Sequence, residues 1–150
     1  MSSGVRELRV WQESVALAGD VIRAVRQGIR RETKAVSEAP MATSMTVATL
    51  IADGYARVTP AEQREAYHTA RRAVLRLETE LAVLKHADLL PNGAFSELTT
   101  RGAQVSKLLG GYLAYLDRQI DDAARAPSRS GGPSPSTGPA VSPGSARGPS

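Results

Sequence analysis

The stretch TPAEQREAYHTARRAVLRLETELAVLKH, residues 59–86, decides the fold. Thr59 can cap a helix N-terminus. Pro60 fits the first helical position, where no N–H is needed, and Glu62 completes a capping box. Behind that start signal, Ala66, Ala70, Ala73, Leu77, Leu81 and Leu84 recur at steps of three or four, with Val74 alongside. Such steps draw one apolar seam along an α-helix. The other face carries Arg64, Arg71, Arg72 and Arg76 with Glu65, Glu78 and Glu80.

Upstream, a second helix is predicted over residues 41–56. Its apolar face is Met41, Met45, Ala48, Ala52 and Tyr55, with Val47 and Ile51 beside it. Pro40 is expected in its first turn. Between Pro40 and Arg57 only Asp53 is ionised. A helix that is neutral nearly all round is buried on more than one side, in the bundle centre or against another subunit. The first helix is predicted over residues 5–29, with Leu8, Trp11, Val15, Ala18, Ile22, Val25 and Ile29 on one face. Arg23, Arg26, Arg30, Arg31 and Lys34 crowd its C-terminal end, as a match to the helix dipole or as an anion-binding patch.

Downstream, Pro91-Asn92-Gly93 marks a turn. A fourth helix is predicted over residues 94–124, with Phe95, Leu98, Val105, Leu108, Leu109, Tyr112, Leu113, Leu116 and Ile120 as its apolar set. Gly110-Gly111 inside it implies a close approach of another backbone or a kink. Four helices with short connections give an all-α, antiparallel up-and-down four-helix bundle over residues 1–126. Residues 127–150 are Pro, Ser, Gly and Ala with few others, and are expected to form a disordered tail.

Composition narrows the function. The chain of 150 residues has no cysteine, so disulfides, thiol catalysis and Cys-based zinc sites are excluded. The absence of cysteine also fits a cytoplasmic protein, the opening residues Met1 to Glu7 show no apolar secretory segment, and no apolar run is long enough to span a membrane. The net charge of +4 permits an anionic partner without requiring one. His68 follows Glu65 at i+3, which reads as a helix-surface pair. One Glu-x-x-His copy is not the two that a di-iron bundle needs. Glu78 borders the third helix's seam and is expected in an ion pair with Arg71 or Arg76. No catalytic set, cofactor motif or metal site is expected.

The arginines are the functional lead. Arg64 and Arg71 share a stripe at i, i+7, and Arg72 and Arg76 share a neighbouring one at i, i+4. Such an array can meet successive phosphates. A solvated, ion-paired face is the plainer reading for a monomer. In a ring of subunits, repetition adds the fields of modest patches.

Three motifs carry a resemblance. Glu7-Leu8-Arg9-Val10-Trp11-Gln12 is similar to the Leu-x-Val-Trp-Gln that opens proteins encoded in intervening sequences of large-subunit ribosomal RNA genes. Ile51-Ala52-Asp53-Gly54-Tyr55-Ala56-Arg57 resembles that family's Ile-Ala-Glu-Gly-Phe-Gly-Arg. Ala70-Arg71 with Leu77-Glu78-Thr79-Glu80-Leu81 resembles its Ala-Arg…Leu-Glu-Thr-x-Leu. All three stand in family order, over residues 6–116. The resemblance implies a four-helix bundle, a homopentameric ring and no catalytic site. Leu108 to Leu113 also looks like a segment of a related branch, the accessory variability determinant of diversity-generating retroelements. That branch implies a basic pentameric barrel that binds reverse transcriptase and nucleic acid.

The departures redistribute charge. Thr49-Leu50 replace a common Ser-Asn, Arg72-Ala73 a common Gly-Ser, Arg76 a common Glu, and Thr43-Ser44 occupy the region of a basic pair. Arg57 and Arg71 are the matched basic residues and rank first. The candidate nucleic-acid-binding set is therefore Arg57, Arg64, Arg71, Arg72 and Arg76. The expected protein is a non-enzymatic homo-oligomeric adaptor that shows these arginines to RNA, DNA or a nucleic-acid enzyme such as a reverse transcriptase. The alternative is a protein-binding scaffold without nucleic-acid contact. An enzyme built in the bundle core is a third reading, and it needs a cofactor or metal that no motif announces.

Overall fold

A computed structural model describes residues 4–126. The expected disordered tail, residues 127–150, lies outside the described residues. A short 3-10 helix, Gly4–Glu7, leads into α1 (Arg9–Arg26). A second 3-10 turn, Arg31–Thr33, leads into α2 (Lys34–Ala56). Then come α3 (Pro60–His86) and α4 (Asn92–Ala124). Each helix packs on its neighbours in sequence, and α4 returns to α1, which closes the ring. Short connections make consecutive helices antiparallel, so the bundle is up-and-down.

α3 begins as the sequence dictates. The Thr59 hydroxyl accepts from the Glu62 N–H at 3.2 Å, with Pro60 at the first position. Its end is a Schellman motif: Leu89 N–H donates to the Leu84 carbonyl at 2.8 Å, and Asp88 N–H to that of Lys85 at 3.0 Å. Asp88 takes the left-handed conformation there, with φ of 63°. A glycine usually fills that place, because a Cβ is penalised in it. Of Pro91-Asn92-Gly93, only Pro91 stays outside a helix, so α4 starts two residues earlier than the turn signal suggests.

The start of α2 is a larger correction. The helix begins at Lys34, and Pro40 lies inside it, buried. Proline in a helix interior removes one N–H from the ladder and crowds the carbonyl four residues back, here that of Val36. The sequence signal failed because Pro is favoured in a first turn and Arg31 to Glu38 is polar enough to read as a loop.

Two seams are also rotated from their expected positions. α1 buries Val10, Ser14, Leu17, Ala18, Val21 and Val25, while Val15 is exposed and Leu8 and Trp11 only partly covered. α2 buries Ser37, Pro40, Thr43, Ser44, Val47, Ile51 and Gly54, while Met45 and Tyr55 are exposed. Small hydroxyl residues can line these seams because their polar atoms are satisfied locally. Ser14 donates to the Trp11 carbonyl and Ser44 to the Met41 carbonyl, both at 2.8 Å.

The core's largest fully buried side chain is Tyr67. Its ring meets Tyr112 of α4 at 5.4 Å between centroids. On the α2 side it lies over Gly54, where an added Cβ would be 2.7 Å from a ring carbon. Gly54 is thus the notch into which Tyr67 fits.

Candidate nucleic-acid interface

The five candidate arginines do not form one array. Arg57 caps the C-terminus of α2, and its guanidinium donates to Asp53 at 2.8 Å. That hydrogen bond, and then the Asp53 charge, pushes the Arg57 pKa up from an already high value. Arg64 donates across to Asp117 of α4 at 2.5 Å. Arg76 donates to Glu80 at 3.2 Å, one turn away on its own helix. Three of the five positive charges therefore each face a carboxylate.

Arg71 and Arg72 differ. Among the described residues neither has a carboxylate within 4.0 Å. Arg72 donates to the Thr69 hydroxyl at 3.0 Å. Arg71 lies along α4, where a Cβ added at Gly110 would be 3.4 Å from its guanidinium. Arg64 and Arg71 thus run along the α3–α4 edge. Arg72 and Arg76 line a shallow cleft toward α2, with Thr43, Thr46 and Leu50. The exposed Leu75 stands between the two stripes.

At Gly110 the nearest atoms an added Cβ would meet are those of the Arg71 side chain, a neighbour the sequence reading did not name. Gly111 has nothing within 4 Å of an added Cβ. It opens onto a groove between α1 and α4 lined by Arg9, Glu13, Lys107, Leu108, Tyr112 and Tyr115. Tyr112 and Tyr115 meet edge to face at 6.4 Å. Sequence reasoning placed Tyr112 in the core set and passed over Tyr115. The available signal was the Tyr112–Tyr115 spacing of three next to Gly111, which puts two rings beside a gap.

Glu78 is a correction. It makes no ion pair with Arg71 or Arg76 and turns instead to α4. There, one carboxylate oxygen would lie 3.3 Å from a Cβ at Gly102. Loss of water raises its pKa above the ordinary carboxylate value. His68 has no carboxylate within 4.0 Å among the described residues, so the expected pair with Glu65 is not formed. A bridge unforeseen from sequence is Arg101 of α4, which reaches Asp20 at 2.9 Å and Glu13 at 3.8 Å on α1. Glu13 and Asp20 are seven residues apart, the spacing that aligns two carboxylates on one helix face.

Among the described residues no group of three or more His, Cys, Asp or Glu is placed to hold a metal ion. None of their helices is long and apolar enough to cross a membrane. The unpaired guanidinium groups of Arg71 and Arg72 can position anions by charge.

No curated protein and no solved structure matches the chain. A family model does, over residues 6–111, the span that holds all three sequence motifs and most of the bundle. The chain belongs to the 23S rRNA-intervening sequence protein family.

Proposed function

We propose that the protein is a non-enzymatic, homo-oligomeric adaptor of the cytoplasm that presents basic surface to nucleic acid or to a nucleic-acid enzyme. The observation that carries this reading is the pair Arg71 and Arg72. They are adjacent, exposed and unpaired by carboxylate, on the outer face of α3. Guanidinium groups in that state contact phosphate oxygens without the cost of breaking an ion pair, and they fix position without reading sequence. Self-assembly is supported by the outer face of α2, where exposed Met45 and Tyr55 accompany a run with Asp53 as its single charge. The family resemblance favours a pentameric ring, and its retroelement branch favours a reverse transcriptase as partner.

The test is mass in solution at low and high salt, with and without a short structured RNA. An oligomer that takes up RNA only at low salt supports the adaptor. A monomer that ignores RNA at low salt overturns it.

The closure of Arg57, Arg64 and Arg76 by carboxylates favours a second reading, a protein-binding scaffold. On that reading, Arg71→Glu with Arg72→Glu leaves partner capture unchanged. Loss of capture on that change rejects the scaffold.

A further inference from the structure

The least compensated charge in the described molecule is not on α3. It lies at the end of the bundle where α1 passes to α2 and α3 to α4. Between Arg26 and Lys34 the chain carries Arg26, Arg30, Arg31 and Lys34 against one carboxylate, Glu32. The much longer α3 sets Arg64, Arg71, Arg72, Arg76 and Lys85 against Glu62, Glu65, Glu78 and Glu80. Arg26, Arg30 and Arg31 are exposed, and none has a carboxylate within 4.0 Å among the described residues. Lys34 reaches Glu38 only at 3.9 Å.

Helix-dipole matching does not account for these cations. It holds for Arg26, in the last turn of α1. It fails for Arg31 and Lys34, because α2 starts at Lys34. A cation at a helix N-terminus faces the positive end of the dipole and is disfavoured there. Their presence is better explained by an anion outside the molecule. Two further observations agree. α2 and α4 both start at this end, and neither has a side-chain cap hydrogen bond. The first N–H groups of α4 thus have no side-chain acceptor, as at a helix N-terminus that offers them to phosphate, whereas α2 is entered directly from the 3-10 turn Arg31–Thr33. The two connections also form one surface. A Cβ at Gly28 would be 2.7 Å from the Leu89 carbonyl oxygen, so the loops touch, and Lys85 and Asp88, of opposite charge, line the hollow beside them, which leaves the excess with the Arg26–Lys34 cations.

We infer that this end of the bundle binds the phosphodiester backbone of a double-helical nucleic acid through Arg26, Arg30, Arg31 and Lys34. The duplex is favoured over a single strand by the aromatic residues. Single-strand sites stack bases on exposed rings. Here the exposed rings, Tyr55 and Tyr115, belong to other parts of the bundle, and Phe95 is partly covered, with the Lys85 ammonium 5.0 Å from its ring centre. The inference rests on the nucleic-acid reading above and moves its main contact from α3 to the bundle end.

The experiment is salt-dependent binding of an RNA hairpin, a DNA hairpin and a single-stranded oligouridine. It compares the full chain with two double variants, Arg30→Glu/Arg31→Glu and Arg71→Glu/Arg72→Glu. Circular dichroism and solution mass verify the fold, and Arg30→Gln/Arg31→Gln repeats the test without charge reversal. At about 50 mM salt the first variant should bind either hairpin at least ~10-fold more weakly. Its slope of log affinity against log salt should fall by about 2, one for each lost phosphate contact. Unchanged binding there, with loss confined to the Arg71/Arg72 variant, overturns the inference and leaves the adaptor reading standing. Oligouridine bound as tightly as the hairpins overturns the duplex assignment. No binding by the unaltered chain removes both readings.

Discussion

Glycine-to-alanine substitution should have opposite signs at two positions of this bundle. In a helix interior, alanine is favoured over glycine by about 1 kcal/mol. At Gly111 nothing opposes that gain, since an added Cβ meets no atom within 4 Å. Gly111→Ala should stabilise the fold by about 1 kcal/mol. At Gly54 the new methyl would sit 2.7 and 3.0 Å from two Tyr67 ring carbons and 3.1 Å from the Ala66 Cβ. The ring is 1 % exposed and Tyr112 stands behind it, so it has little room to retreat. Overpacking of this kind costs about 1–3 kcal/mol. A contact under 3.0 Å against a buried ring takes the upper half of that range, so, set against the propensity gain, Gly54→Ala should destabilise by about 1–2 kcal/mol. The two variants then differ by about 2–3 kcal/mol, which separates their urea midpoints by about 1–2 M. The assay is urea unfolding followed by circular dichroism, at one protein concentration so that any assembly contributes equally. A Gly54→Ala protein as stable as the parent would show that the Gly54 notch does not constrain Tyr67. A Gly111→Ala protein weakened as much as Gly54→Ala would show that another chain fills the α1–α4 groove.

Thr59→Ala removes the acceptor for the Glu62 N–H and should cost about 1 kcal/mol, read as a lower thermal midpoint. Asp88→Gly relieves the left-handed strain at the end of α3 and should add about 0.5–1 kcal/mol in the same melt. Burial, and then the neighbouring Tyr112 and Tyr55, push the Tyr67 phenol up from 10 to about 12. Its folded pKa is above its unfolded one, so this contribution to stability is complete below pH 10 and fades as pH rises to about 12. Denaturant midpoints should fall over that window, and in Tyr67→Phe the fall should be smaller.

The legibility of the sequence varied with how narrow each apolar stripe was. α3 was readable in its bounds and in most of its seam, although Tyr67, the largest buried side chain, was missed and Ala73 is only partly covered. Its seam is flanked by charge on both sides, and Thr59 and Pro60 mark its start. α1 was readable as a helix but not in rotation. Val10, Leu17 and Val21 repeat as regularly as Leu8, Trp11 and Val15, so two faces compete. Only packing decides between them, and it buries the first set. α2 was the hardest, because its buried line of Ser37, Ser44 and Gly54 is chosen for small size rather than for apolarity. Close packing favours small groups where helices approach, and hydropathy patterns do not report that.

The site was legible as a composition and not as a geometry. The arginines of α3 are where the helical repeat puts them. Which of them face carboxylates depends on Asp117, 53 residues from Arg64 in the chain. The spacing within one helix could not have shown that pair. The cations after α1 were visible as well. Their conflict with a dipole emerged only when α2 was found to begin among them.

An even number of antiparallel helices brings the chain back to the side from which it set out. Gly4 and Ala126 therefore lie at the opposite extremity from the Arg26–Lys34 connection. The described residues thus begin and end at the far pole from that basic connection. A purification tag, a surface tether or a fluorescent fusion can accordingly be placed at either terminus while the cationic pole stays presented to solution. A protein immobilised in that way should retain its full capacity there, whereas coupling through lysines would consume Lys34 and Lys85 themselves.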